Sequence, residues 1–181
     1  GVAQHEPGAE EGALQPSQRG YAPAQCNLGF CYYQGIGVEE NNDEAFRWFA
    51  MAAEREFPRA MNLLGECFDQ GYGVEQDSRR AVELFQAARE RGYVPAATAL
   101  GLCYELGRGV EQDKARAAEL YREAAQAGDV RAQCNLGYCY YQGIGVEEDE
   151  AQAVHWFTRA ADKGQPRGLF LLGECYEGGH G

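Results

Sequence analysis

Apolar residues recur along this chain in two alternating helical registers. In the first, Ala24, Leu28 and Tyr32 fall at i, i+4 and i+8, which places them on one helical face. In the second, Ala45, Trp48, Phe49 and Ala52 form a stripe that returns as Ala81, Leu84, Phe85, Ala88, then as Ala117, Leu120, Tyr121, Ala124 and as Ala153, Trp156, Phe157, Ala160. Aromatics at this spacing fill helix interfaces. The pattern predicts first helices over about 23–34, 59–70, 95–106, 131–142 and 167–177. Each is followed by a second helix opening at Asn41, Asp77, Asp113 or Asp149, all good N-cap residues. Glu44 and Gln152 stand where a capping box would use them.

Glycine punctuates both helices. Gly35, Gly71, Gly107, Gly143 and Gly179 close the first helix, and a second Gly two residues on lets the loop turn back. Val38, Val74, Val110 and Val146 then carry the loop into the core. Gly29, Gly65, Gly101, Gly137 and Gly173 lie in mid-helix, where Gly costs about 1 kcal/mol against Ala. Its return in every repeat implies that another element approaches too closely for a side chain. Second helices end near Gly92, Gly128 and Gly164, with Glu56 breaking that pattern.

The segment AQCNLGFCYYQGIGVEE, Ala24 to Glu40, comes back as AQCNLGYCYYQGIGVEE from Ala132, with weaker versions from Ala60, Ala96 and Gly168. The period is 36 residues throughout, the mark of a solenoid in which each unit touches only its neighbours. The expected organisation is a solenoid over 23–181, with repeats 24–59, 60–95, 96–131 and 132–167 and a half repeat 168–181. Residues 1–22 are read as an irregular lead-in or decayed repeat, because Pro7, Gly8, Gly12 and Pro16 oppose a regular helix. Leu172 and Tyr176 would lie without a covering second helix, so the chain is expected to be part of a longer protein or to self-associate at that end.

Composition narrows the function. An apolar share of 45% can build a continuous core, and a net charge of −12 repels phosphate backbones and anionic membranes. Nucleic acid and membrane are therefore poor partners, and no apolar run spans a bilayer. Of seven cysteines, Cys31, Cys67, Cys103, Cys139 and Cys175 share one repeat position, and Cys26 and Cys134 another. Equivalent positions on stacked helices lie about 8–10 Å apart, too far for a disulfide. They read as small buried hydrophobes in a reducing compartment. With no secretory signal seen, the cytoplasm is the expected location. A secreted or periplasmic protein stays open, since Gly1 need not be the native start.

The motif Ala-x3-Leu-Gly-x2-Tyr-x2-Gly-x-Gly-Val-x2-Asp-x3-Ala-x2-Trp/Leu-Phe/Tyr-x2-Ala resembles the Sel-1-like repeat, a relative of the tetratricopeptide repeat. Four full units and half of a fifth carry it. The resemblance implies an all-α, right-handed α-solenoid of stacked helix-turn-helix repeats, with first helices lining a concave side, and an adaptor role toward other proteins. Some bacterial cysteine-rich relatives pair a Cys on each helix of a repeat; the second helices here have none, so that framework does not carry over.

Those relatives have been described as β-lactamases, which makes a hydrolase the first alternative function. A serine acylase needs an activated nucleophile with a nearby base, often SxxK. Ser17 and Ser78 have no Lys three residues on, and His5, His155 and His180 are scattered. The GIG, GYG and GRG turns follow helices rather than strands and do not read as phosphate loops. No catalytic residue, metal ligand or cofactor is expected. A spacer without a dedicated ligand is the second alternative.

What remains is the face of each first helix that the repeat pattern leaves unpacked. It reads Cys26, Phe30, Tyr33; Asn62, Glu66, Asp69; Thr98, Leu102, Glu105; Cys134, Tyr138, Tyr141; and Phe170, Glu174, Glu177. Aromatic anchors alternating with carboxylates on a concave surface would suit a protein or peptide segment with basic and apolar side chains. The candidate contact residues are Phe30, Tyr33, Glu66, Asp69, Leu102, Glu105, Tyr138, Tyr141 and Glu174. Duplication of two repeats as a block explains the same alternation without a ligand.

Overall fold

The computed structural model describes residues 20–177. Among them the chain forms nine α-helices and no strand: α1 (Ala22–Gln34), α2 (Asn42–Ala53), α3 (Pro58–Gln70), α4 (Ser78–Glu90), α5 (Val94–Leu106), α6 (Lys114–Gln126), α7 (Val130–Gln142), α8 (Glu150–Asp162) and α9 (Pro166–Glu177). Helices starting with α1 are the first helices of their repeats and alternate with second helices. The chain divides into two compact units, the first ending at Gly92 and the second beginning at Tyr93. The first holds α1 to α4 and the second α5 to α9, and within each unit every helix packs on the next. Gly179, the sequence-predicted cap of the last helix, lies outside the described residues, as do Pro7, Gly8, Gly12 and Pro16.

One device builds every hairpin. The backbone turns left-handed at Gly35, Gly71, Gly107 and Gly143, whose N–H groups donate to the carbonyls of Cys31, Cys67, Cys103 and Cys139. The chain then returns so that the N–H of the next N-cap donates to the first helix: Asn41 to Tyr32 O at 2.9 Å, Asp77 to Phe68 O at 2.8 Å, Asp113 to Tyr104 O at 2.9 Å and Asp149 to Tyr140 O at 3.0 Å. The N-cap side chains accept from Glu44, Arg79 and Arg80, Arg116, and Gln152 as the sequence suggests. The capping box of the first hairpin is half formed. With the Asn41 N–H already donated to Tyr32, the Glu44 carboxylate pairs with Arg47 instead.

The mid-helix glycines are slots for rings. A Cβ on Gly29 would lie 2.8 Å from the Phe49 ring, on Gly65 2.6 Å from Phe85, on Gly101 2.7 Å from Tyr121, and on Gly137 2.6 Å from Phe157. All four rings are 2% exposed or less, so burial of the ring outweighs the helical cost of the glycine. The small Ala and Cys residues around them, such as Ala45, Ala81, Cys67 and Cys139, let the helices close over these rings. Gly173 of α9 has nothing within 4 Å of its Cβ position. Beside it Leu172 is half-buried against the α8 core, while Leu169, Phe170 and Tyr176 are exposed.

Glu56 explains its own exception. It takes the left-handed backbone (φ 57°) that Gly92, Gly128 and Gly164 take in later repeats, and its carboxylate pairs with Arg91. A side chain there costs about 1–2 kcal/mol, and an exposed ion pair gives back at most about 1 kcal/mol. Glu56→Gly is therefore expected to raise stability by about 0.5–1 kcal/mol, and Glu56→Ala to lower it, since the strain stays and the pair is lost. Urea unfolding of the two variants separates these outcomes.

Candidate functional site

In the first unit, α1 and the loop after α3 bring aromatic rings together. Phe30 and Tyr33, one turn apart on α1, have centroids 6.4 Å apart, and Tyr33 meets Tyr72 at 5.8 Å with a 49° tilt. Phe30 and Tyr33 are half-buried and Tyr72 is 37% exposed. Tyr33, Gln34, Glu40, Asn42 and Tyr72 line a shallow hollow beside these rings. Partial burial, then the nearby Tyr72 and the carboxylates of Glu66 and Glu40, push the Tyr33 phenol above its usual range. It stays neutral at physiological pH, as a hydrogen-bonding aromatic contact requires.

In the second unit Tyr138 and Tyr141 are half-buried. Both pack, with Tyr140, against the core that Ala153 and Phe157 of α8 make with Leu171 and Cys175 of α9. The Tyr140 hydroxyl accepts from Arg122 at 3.2 Å. Leu102 of α5 is exposed, as is Glu174 of α9.

The acidic candidates meet different fates, and Asp69 is a correction. Asp69 is 5% exposed, with one carboxylate oxygen 2.7 Å from the Gln70 amide, so it cannot meet a partner from solvent. Glu105 accepts the Tyr121 hydroxyl at 2.6 Å, which ties it to the most buried phenol of the protein. Glu66 accepts from Asn62 at 2.8 Å and remains half-exposed. The same face also contains core: Cys26, Cys134, Asn62 and Thr98 are buried. Thr98 donates to Asp129 at 3.1 Å, the carboxylate that also caps α7.

The geometry adds residues the sequence reading passed over. Tyr72 occupies the variable place inside the Gly-x-Gly turn, filled elsewhere by Ile36, Arg108, Ile144 and, in the sequence, His180. Arg59 lies over the Phe30 ring at 5.4 Å and donates to Asn27 at 3.1 Å; Arg167 lies over Tyr138 at 5.9 Å and donates to Asn135 at 3.1 Å. The signal was present as an Arg in second place on the first helices α3, α7 and α9, but only contacts reaching back to the preceding first helix give it meaning.

All seven cysteines are free, and only Cys31 is not buried. Burial pushes the Cys26 thiol up to about 11 and those of Cys67 and Cys139 to about 12, so these thiols stay protonated and unreactive at neutral pH. Among the described residues no three His, Cys, Asp or Glu side chains gather as a metal ion would need, and no helix is long and apolar enough to cross a membrane. His155 is exposed, with its ring edge-on to Trp156. Ser78 opens α4; Ser17, His5 and His180 lie outside the described residues.

The family model of the Sel1 repeat matches residues 22–57, 58–93, 94–129, 130–165 and 166–181. A search of curated proteins gives no match. Among solved structures, the chain is similar to a protective antigen of uropathogenic Escherichia coli strains displaying an SLR fold. Identity is 35% and the TM-score 0.78, over 92% of this chain and 36% of that one. The chain thus spans only about a third of that antigen's length. It is also similar to a Sel1 repeat protein from Oxalobacter formigenes (32% identity, TM-score 0.74, covering 93% of this chain and 69% of that one). Cysteine rich protein B of Helicobacter pylori is similar at 26% identity and a TM-score of 0.56, over 72% of this chain and 96% of that one. With five consecutive repeats matched and each described helical hairpin built on the same caps and ring slots, the chain belongs to the Sel1 repeat family, whose members generally serve as protein-interaction scaffolds.

Proposed function

We propose that this chain is a non-enzymatic scaffold that holds a segment of a partner protein against the outward faces of its first helices. The observation that carries the reading is the run of Phe30, Tyr33 and Tyr72, in which Tyr33 meets the ring on either side of it and all three are left partly in solvent, Tyr33 and Tyr72 lining a hollow. Aromatic side chains offer large contact area with few rotatable bonds, and they dominate binding energy where they cluster. The partner segment brings apolar side chains to these rings, with Tyr138 and Tyr141 offering similar chemistry in the second unit. The free and largely buried cysteines support a reducing compartment as the place of work.

The test is selection of displayed peptides against the immobilised protein, followed by binding to Tyr72→Ser. Tyr72 stands in a loop and contributes little to the core. Affinity for selected peptides is expected to fall at least about tenfold, while Tm moves by less than about 3 °C. Failure to enrich any peptide, or equal binding to the variant, would overturn the reading.

A further inference from the structure

Each unit contains an arginine held in the same unusual way. Arg59 and Arg167 stand in the first turn of α3 and α9, where the helix dipole disfavours a cation. Each side chain reaches to the preceding first helix. There an asparagine amide oxygen takes one N–H (Asn27 or Asn135, both at 3.1 Å) and an aromatic ring (Phe30 or Tyr138) lies beneath the guanidinium. Neither guanidinium has a carboxylate partner among the described residues, in a chain with 28 acidic and 16 basic residues. An arginine carries five donors in a planar fork, so most of its edge is left open. The amide and the ring have already fixed its plane.

A fork held at a fixed angle suits the paired oxygens of a carboxylate, which it binds bidentately. The net charge of −12 on the chain opposes polyanions and leaves a single negative charge as the fitting occupant. Arg131 provides an internal contrast. It holds the same place on α7, but the residues standing where Asn27 and Phe30 stand are Ala99 and Leu102, so neither amide nor ring orients it.

We infer that Asn27, Phe30 and Arg59, and likewise Asn135, Tyr138 and Arg167, are carboxylate-binding positions that take an acidic group of a peptide segment whose apolar side chains rest on the neighbouring rings. This rests on the scaffold reading above and reverses the charge expected of the partner from sequence. The carboxylate can come from an Asp or Glu side chain or from a chain's C-terminus.

Three tripeptides distinguish the sources: N-acetyl-Phe-Glu-Phe-amide, N-acetyl-Phe-Gln-Phe with a free C-terminus, and N-acetyl-Phe-Gln-Phe-amide, which has no carboxylate. Each is titrated into the labelled protein while the arginine side-chain Nε–H resonances are followed by NMR. A carboxylate-bearing peptide is expected to give saturable shifts at Arg59 and Arg167, with Kd of about 1–10 mM. Arg131 and the uncharged peptide should give none. Whichever carboxylate peptide saturates names the source, and saturation by both means that the shared group suffices. In Asn27→Ala the Arg59 response should weaken about threefold or more, with Arg167 unchanged as the control. Equal shifts at all three arginines, equal response to the uncharged peptide, or no saturation by either acid would overturn the inference. So would tighter saturation by inorganic phosphate. Displayed peptides that bind without any acidic residue and survive Arg59→Ala plus Arg167→Ala would sink this assignment and leave the scaffold reading standing.

Discussion

Gly145→Ala is expected to destabilise the second unit by about 3 kcal/mol or more, while Gly173→Ala is expected to stabilise it by about 1 kcal/mol. At Gly145 the backbone is left-handed (φ 69°), and an added Cβ would lie 2.0 Å from the carbonyl oxygen of Lys114, where α6 begins. Backbone cannot step aside as a side chain can, so strain and overlap add. Gly73 in the first unit has the same relation to Asn42, at 2.2 Å. The second Gly of each of these turns thus serves close approach of one repeat to the preceding one, beyond the reversal of direction that the sequence suggests. Gly173 has open space, and Ala there removes only the helical cost of glycine. Urea unfolding of both variants tests the pair; equal effects, or a neutral Gly145→Ala, would contradict the geometry.

Alkali is expected to unfold the protein in a way that its cysteines control. A thiol titrates near 9.0 when unperturbed, whereas burial holds Cys26 near 11 and Cys67 and Cys139 near 12 in the folded chain. Because the folded values are raised, this stability is fully present below pH 9 and is lost as pH climbs toward the folded values. The unfolded chain sheds protons that the folded chain keeps. Each thiol contributes about 1.4 kcal/mol per pH unit in that window, so the three together remove about 4 kcal/mol per unit between pH 9 and 11. The Tyr121 phenol, pushed far up by burial and by its hydrogen bond to Glu105, adds to the loss above pH 10. Helical circular dichroism under reducing conditions should fall between about pH 10 and 11.5. In the Cys67→Ala, Cys139→Ala double variant the pH dependence of stability should become clearly shallower, the remainder coming from Cys26, Cys134, Cys175 and Tyr121, whose burial also raises them. A slope unchanged by that double substitution would refute the account.

The helices were legible because their signals are local and repeated. Asn41, Asp77, Asp113 and Asp149 cap where their side chains predict, and Gly35, Gly71, Gly107 and Gly143 terminate where glycine is needed. First helices begin one residue earlier than the apolar pattern suggests, since Pro58 and Pro166 fit a first turn while contributing nothing to the stripe. The candidate surface was less legible. Periodicity assigns a residue to a face but does not say which neighbour reaches across to it. Asp69 and Glu105 lie on the face expected of them, yet burial and the Tyr121 hydroxyl claim them. Nothing in the repeat pattern singles out Arg59, and only its hydrogen bond to Asn27, 32 residues away, sets it apart.

The ring seated in the glycine of its own hairpin has a consequence for how such chains lengthen. Because Phe49, Phe85, Tyr121 and Phe157 each find their socket within the same repeat, a duplicated hairpin arrives with its interior already solved. A copying event then has to reconcile only the seams with its new neighbours. That makes verbatim insertion of a cassette tolerable to the lineage, and the recurrence of Ala24 to Glu40 at Ala132 to Glu148 with one residue changed is the kind of record it leaves.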